Sequence, residues 1–222
     1  MIRKLLLALL VLLVIAVVVV DRVGGSVASH VLAGKLESDE RLDSRPSVSI
    51  GGFPFLTQAI SGDYNDVTVT THGFLTPDRV RIDTLTAKLH GVHIPLSKVV
   101  GGSVKTVPVD RVDGSVFVSF GDVANYLATR GITVALTRSS ANAVNVVGRL
   151  AAHAKLVQGI ATIGVSGTTV TLSIAATSGL PRALVLRIPI QGLPFRFTVT
   201  SVQVGVGGIS GTGTARHVVL GS

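Results

Sequence analysis

The chain has 222 residues, 47% hydrophobic and 14% charged, with 25 Gly, seven Phe, two Tyr and neither Cys nor Trp, which suits one β-rich domain plus an additional segment. The formal charge of +8 is uneven: residues 1–122 hold 12 basic and 12 acidic side chains, whereas residues 123–222 hold 8 basic and no acidic ones. Without cysteine there are no disulfides, thiolate-bound zinc or thiol nucleophiles, and the acid-free C-terminal part supplies no paired carboxylates and no acidic metal cage.

Arg3 and Lys4 precede an uninterrupted apolar run, Leu5 to Val20, which Asp21 and Arg22 close. As a helix this run measures about 24 Å, against about 30 Å for the hydrocarbon core of a bilayer. An uncleaved signal anchor over residues 1–22 and a cleaved secretory signal both fit. The nearest small-residue cleavage sites, Val23-Gly24-Gly25 and Val27-Ala28-Ser29, match the export pattern poorly. Either way, residues 23–222 form a single exported domain, with Arg3 and Lys4 left inside.

Ala28, Val31, Leu32 and Leu36 recur at steps of three and four, predicting an amphipathic helix from Ser26 to about Glu37 that packs on the domain. After a polar loop to Pro46, period-two alternation takes over. Val67/Val69 and Val80/Ile82 read as strands, and the parity then slips to Leu85/Ala87/Leu89, as at a β-bulge. Asp113-Gly114 reads as a hairpin turn introducing Val116/Val118/Phe120. Further runs are Ile132/Val134/Leu136, Val170/Leu172/Ile174, Leu184/Leu186/Ile188/Ile190 and Phe195/Phe197/Val199, the last slipping to Val202/Val204/Val206.

One helix interrupts the strands. Ser119 caps it, Asp122 stands three residues later, Phe120, Val123, Ala124 and Leu127 form its apolar face, and Gly131 supplies the C′ position. The expected fold is therefore α+β, mostly β: a strongly curved antiparallel sheet packed on one or two helices, plus the N-terminal hydrophobic helix. Gly52-Phe53-Pro54-Phe55 is echoed by Gly192-Leu193-Pro194-Phe195. Each is read as a turn feeding a strand whose first aromatic enters the core.

The search for catalytic motifs returns nothing. Gly164-Val165-Ser166-Gly167-Thr168 and Gly208-Ile209-Ser210-Gly211-Thr212 both lack the last glycine of a nucleophile elbow, and Gly205–Gly213 does not fit a phosphate cradle. His90 and His93 read as an exposed polar pair with no third metal ligand, and Asp110 and Asp113 as solvated ion-pair partners of Arg111. No catalytic residue, metal site or cofactor is expected. The basic residues from Arg130 to Arg216 suit anionic lipid headgroups beside a membrane better than nucleic acid.

Pro46-Ser47-Val48-Ser49-Ile50-Gly51-Gly52-Phe53-Pro54-Phe55-Leu56-Thr57-Gln58, followed by Gly62-Asp63-Tyr64, resembles the opening signature of the LmeA-like family of actinobacterial envelope proteins. Val92-His93-Ile94-Pro95-Leu96-Ser97 with Val109–Gly114 is similar to its middle, and Leu193-Pro194-Phe195 to its closing strand entry. The resemblance spans the whole chain. It implies a non-enzymatic phospholipid-binding protein on the outer side of the plasma membrane, tied to envelope lipid or glycolipid metabolism. It also implies an elongated fold like that of tubular lipid-binding domains.

Together these readings give an apolar groove in the curved sheet that shelters acyl chains. Phe53, Phe55, Leu56, Phe195 and Phe197 are expected near its entrance, and Arg187 and Arg196 at the headgroup of an anionic phospholipid, since guanidinium pairs bidentately with phosphate. Two rivals make different forecasts. A scaffolding envelope domain predicts a core closed by its own side chains. An enzyme acting on lipid-linked sugars predicts Asp63, Asp66, His72, Asp110 or Asp113 gathered in one cleft.

Overall fold

The computed structural model describes residues 2–40, 46–76, 79–95, 97–98, 104, 106–150, 156–166, 169–174, 184–189 and 198–220. Helix α1 runs from Ile2 to Glu40 without a break and contains a segment, Val11–His30, long and apolar enough to cross a membrane (mean hydropathy 2.2). Strand β1 (Ser47–Gly51), helix α2 (Phe55–Ser61) and strands β2 (Asp63–Leu75), β3 (Arg81–His93) and β4 (Val107–Ser119) follow. Helix α3 (Phe120–Ala128) leads into β5 (Ile132–Ser140), β6 (Ala143–Leu150), β7 (Leu156–Ser166), β8 (Thr169–Ile174) and β9 (Leu184–Pro189). The described chain closes with β10 (Thr198–Val204) and β11 (Gly208–Leu220).

The protein is mostly β and antiparallel, as expected from the alternation, but its strands form two open sheets. One has the order β1-β2-β3-β4-β11-β10, the other β5-β6-β7-β8-β9. Val204 N–H donates to Ala141 C=O at 2.7 Å, linking β10 to the β5–β6 turn of the second sheet. Of the two expected parity slips, the one in β10 is a pairing shift against β11 between Val199 and Ser201. The one in β3 is not a bulge. Its register with β2 is constant, and Gly73, at the level of Asp83, bends the partner strand instead with φ +68°.

A third irregularity is larger. Leu89 and Val92, Val109 and Val112, and Ala215 and Val218 are all buried in one core although the members of each pair stand three positions apart. Regular alternation would send one member of each pair to the opposite face. The step falls at one level across neighbouring strands, where Gly91 has φ +62° and His217 φ +50°. A Cβ at Gly91 would collide with the Asp110 carboxylate, so glycine is required there on two counts.

Asp113-Gly114 is not a turn. β4 runs straight through it, paired on both sides, with Gly114 opposite Ala87 and Gly213 and without the positive φ that a hairpin glycine needs. Gly52-Phe53-Pro54-Phe55 leads into α2 and not into a strand, although Phe55 does enter the core. Its echo at Gly192–Phe195 lies outside the described residues.

The cap of α3 forms as expected. Ser119 Oγ accepts from Asp122 N–H at 3.1 Å and donates to the Asp122 carboxylate at 2.7 Å. Asp122 is too short to reach back to the Ser119 amide, which instead donates to Asp83 on β3 at 2.6 Å. Val123 and Leu127 are buried, as is Tyr126, which the expected apolar face omitted. The helix ends at Thr129, and Gly131, with φ +76°, falls one position beyond C′.

Two cores result. A proximal core beside α1 joins Phe55 and Ala59 to Tyr64, Leu89, Val92, Val109, Val112, Ala215 and Val218. A distal core packs Val123, Tyr126 and Leu127 of α3 against Leu136, Val144, Val146, Ala161, Leu172 and Ile174 of the second sheet and Val204 of the first.

Candidate functional site

Directly opposed residues share a face of a sheet, so the registers sort the six-stranded sheet into two surfaces. One face carries the row Val69, Ala87, Gly114, Gly213 and Val199, then the row Thr71, Leu85, Val116, Gly211 and Val202. These rows bridge the stretch between the two cores. Leu85, Val116, Val199 and Val202 are only half-buried, and three of the ten positions are glycine. The Thr71 hydroxyl is buried here and has no hydrogen-bond partner among the described residues. Such a surface of branched apolar side chains and bare backbone suits alkyl chains and offers no group for acid–base or nucleophilic chemistry.

The opposite face is polar. Thr70, Thr86, Ser115, Thr212 and Ser201 stand in one row, and Lys88, Asp113 and Thr214 in the next. Thr86, Ser115, Thr212, Lys88, Asp113 and Thr214 border a groove of about 530 Å³ that Arg111 and Arg216 also line. At its end two histidines are each held between two carboxylates. His90 lies 2.5 Å from Asp66 and 3.0 Å from Asp113, and His93 2.7 Å from Asp63 and 3.3 Å from Asp110.

Hydrogen bonds from the His93 ring to Asp63 and then Asp110 raise its pKa above the usual 6.5. Partial burial acts to raise the Asp113 pKa. The Thr214 hydroxyl, Arg111 and His90 together outweigh it and hold that carboxyl below its ordinary 3.8.

This is much of the clustering that an enzyme reading forecasts: Asp63, Asp66, Asp110 and Asp113 do come together. His72 does not join them, lying beside Thr84 instead. The cluster sits on an open strand face, and both ring nitrogens of His90 and of His93 already face carboxylate oxygens, leaving neither a ready general base. No group of three such side chains is placed to hold a metal ion among the described residues.

At the α1 end, the geometry is set by a buried charge. Asp21 is 2% exposed, and its carboxylate accepts the Leu56 amide at 2.7 Å, capping α2, whose N-cap residue Pro54 makes no side-chain bond of its own. Gly24 and Gly25 form a notch in α1 filled by the Phe55 ring, with a Cβ at Gly24 falling 3.3 Å from that ring. The Arg22 guanidinium stacks over Phe53 at 5.7 Å. A cleft of about 330 Å³ opens beside them, lined by Arg22, Ser26, His30, Ser49 and Gly52.

The expected site residues are thus distributed as follows. Phe53, Phe55 and Leu56 gather beside α1, respectively exposed, buried in the proximal core, and half-buried. Arg187 lies on β9 of the second sheet, opposite Thr171. Phe195, Arg196 and Phe197 lie outside the described residues. Sequence reading missed Asp21, Gly24 and Gly25, because an isolated acid and two glycines after an apolar run read as its terminator. It also missed Leu85 and Val116 as site residues, since only strand pairing aligns them.

A family model for LmeA-like phospholipid-binding proteins matches residues 19–214. The chain belongs to this family. Comparisons with curated proteins and with solved structures find no match. The family match begins at residue 19, two residues before Asp21, so it takes in the part of α1 that docks on the domain as well as both sheets.

Proposed function

We propose that the protein is a non-enzymatic phospholipid-binding component of the cell envelope, anchored by α1 on the outer side of the plasma membrane and supporting envelope lipid or glycolipid metabolism. The observation that carries this reading is the half-buried apolar strip between the two cores, Leu85, Val116, Val199 and Val202, in a chain of a phospholipid-binding family. Acyl chains lie along this strip. We place Phe53, Leu56, Phe195 and Phe197 at the entrance, with Phe55 buried behind them in the α1 notch, and assign Arg187 and Arg196 to the phosphate of an anionic lipid. Each methylene removed from water contributes about 0.8 kcal/mol, so a micromolar site needs about ten methylenes covered along the strip.

The full chain, purified in detergent, is expected to retain phospholipid at a defined stoichiometry by native mass spectrometry and lipid extraction. Leu85→Gln with Val202→Gln, checked for an unchanged circular dichroism spectrum, should weaken retention about tenfold, the equivalent of about 1.4 kcal/mol. Equal retention by wild type and variant would remove the strip from the reading. A clean apo mass after incubation with anionic vesicles would remove lipid binding altogether.

A further inference from the structure

The uninterrupted apolar run of α1, Leu5 to Val20, is about 24 Å long as a helix, and the segment long and apolar enough to cross a membrane, Val11–His30, continues past it into the residues that dock on the domain. A span that runs into its docking residues holds whatever is attached to them at the bilayer surface. What is attached here is α2. The Leu56 amide is bonded to Asp21, the first residue after the run, so α2 starts within one helical turn of its end.

The face of α2 turned away from the domain is mixed, with Thr57 and Ser61 exposed beside its apolar members and their hydroxyls bonded back to the Pro54 and Gln58 carbonyls. Phe55, Gln58 and Ala59 point inward, while Ile60 is 85% exposed, Leu56 half-buried, and Phe53 just ahead of the helix 57% exposed. On α1 itself, Val23 and Val27 continue the exposed apolar side past Arg22, while Asp21, Gly24, Gly25 and Ala28 face the domain. An exposed aromatic with an arginine stacked on it, at the end of an apolar helix, is the chemistry of the headgroup layer.

We propose that Phe53, Leu56 and Ile60, with Val23 and Val27, form a foot bedded in the interfacial layer of the phospholipid bilayer that α1 enters. The foot extends the apolar surface of α1 sideways at the headgroup layer and stands the proximal core on the membrane. This inference rests on the reading of α1 as a membrane anchor, and the two fail separately.

The chain has no tryptophan, so single substitutions give background-free fluorescence. Val14→Trp in the apolar run, Ile60→Trp on the foot and Val206→Trp in the β10–β11 turn, where Val206 is 86% exposed, are each made in the full chain. Each is reconstituted into phosphatidylcholine–phosphatidylglycerol vesicles carrying brominated acyl chains. Val14→Trp and Ile60→Trp are expected to lose emission to the brominated lipid, and Val206→Trp to keep it.

Quenching at Val14→Trp without quenching at Ile60→Trp overturns the foot and leaves the anchor standing. A blue-shifted but unquenched Ile60→Trp also overturns it, because protein, such as a second copy, then covers that face. An unquenched Val14→Trp overturns the anchor reading and the foot with it.

Discussion

His93 illustrates how much one residue on the polar face can report. Hydrogen bonds to Asp63 and Asp110 raise its folded midpoint above 6.5. A raised native pKa means the cluster's stabilising contribution is complete below about pH 6.5 and is lost as pH rises through the native midpoint. Asp113 has the opposite sign: its contribution is present above 3.8 and is lost as pH falls through its lowered native midpoint. Titrating the His93 ring protons by NMR should place its midpoint above 6.5, and Asp63→Asn should bring it down; a midpoint indifferent to Asp63→Asn would dissolve the proposed pairing.

At the same scale, Gly91→Ala puts a side chain into the left-handed region and against Asp110. It should cost at least about 1–2 kcal/mol in denaturant unfolding. Gly91 was legible as an amino acid but not as a site. Its strain is created by β4, whose pairing with β3 no local pattern announces.

Among the elements, α3 was the most legible, because its cap, apolar spacing and terminating glycine agree in a window of a dozen or so residues. The reading erred by one position at Gly131 and where tertiary partners intervene, as when Asp83 took the cap amide and Tyr126 turned inward. β11 was not anticipated at all. Its sequence, Gly208-Ile209-Ser210-Gly211-Thr212-Gly213-Thr214, lacks apolar alternation because glycines occupy the inward positions opposite Val116 and Gly114.

α2 was read as strand because Pro54 and the aromatics suggested a turn, and its cap lies 35 residues upstream at Asp21. Asp21→Ala should therefore destabilise a different element from the one it occupies. A loss of about 1 kcal/mol is expected, with amide exchange accelerating first at Leu56 and its neighbours. Exchange changes confined to α1 would contradict the cap.

On the scale of the molecule, 13-residue strands β2, β3, β4 and β11, each about 43 Å long, carry two cores near opposite ends with the half-filled strip between. Leu127 is 2% exposed in the distal core, and Leu127→Ala should cost about 2–5 kcal/mol. The loss should appear as faster hydrogen exchange in α3 and β5–β8 before the proximal ends of β2–β4. Uniform acceleration everywhere would mean that the two cores open as one. The family and the antiparallel β class were readable from Gly52–Gln58 and the alternating runs. The division into two sheets was not, since alternation specifies a face to bury but not the partner that buries it.

The notch at Gly24–Gly25 has a consequence for encounter. A domain on a flexible linker samples every tilt above its membrane and must surrender that rotational freedom each time it meets a lipid. With α1 as the proposed anchor, Phe55 seated in its notch and Asp21 fastened to α2 surrender it once, when the chain folds. Every later meeting then begins from one fixed pose.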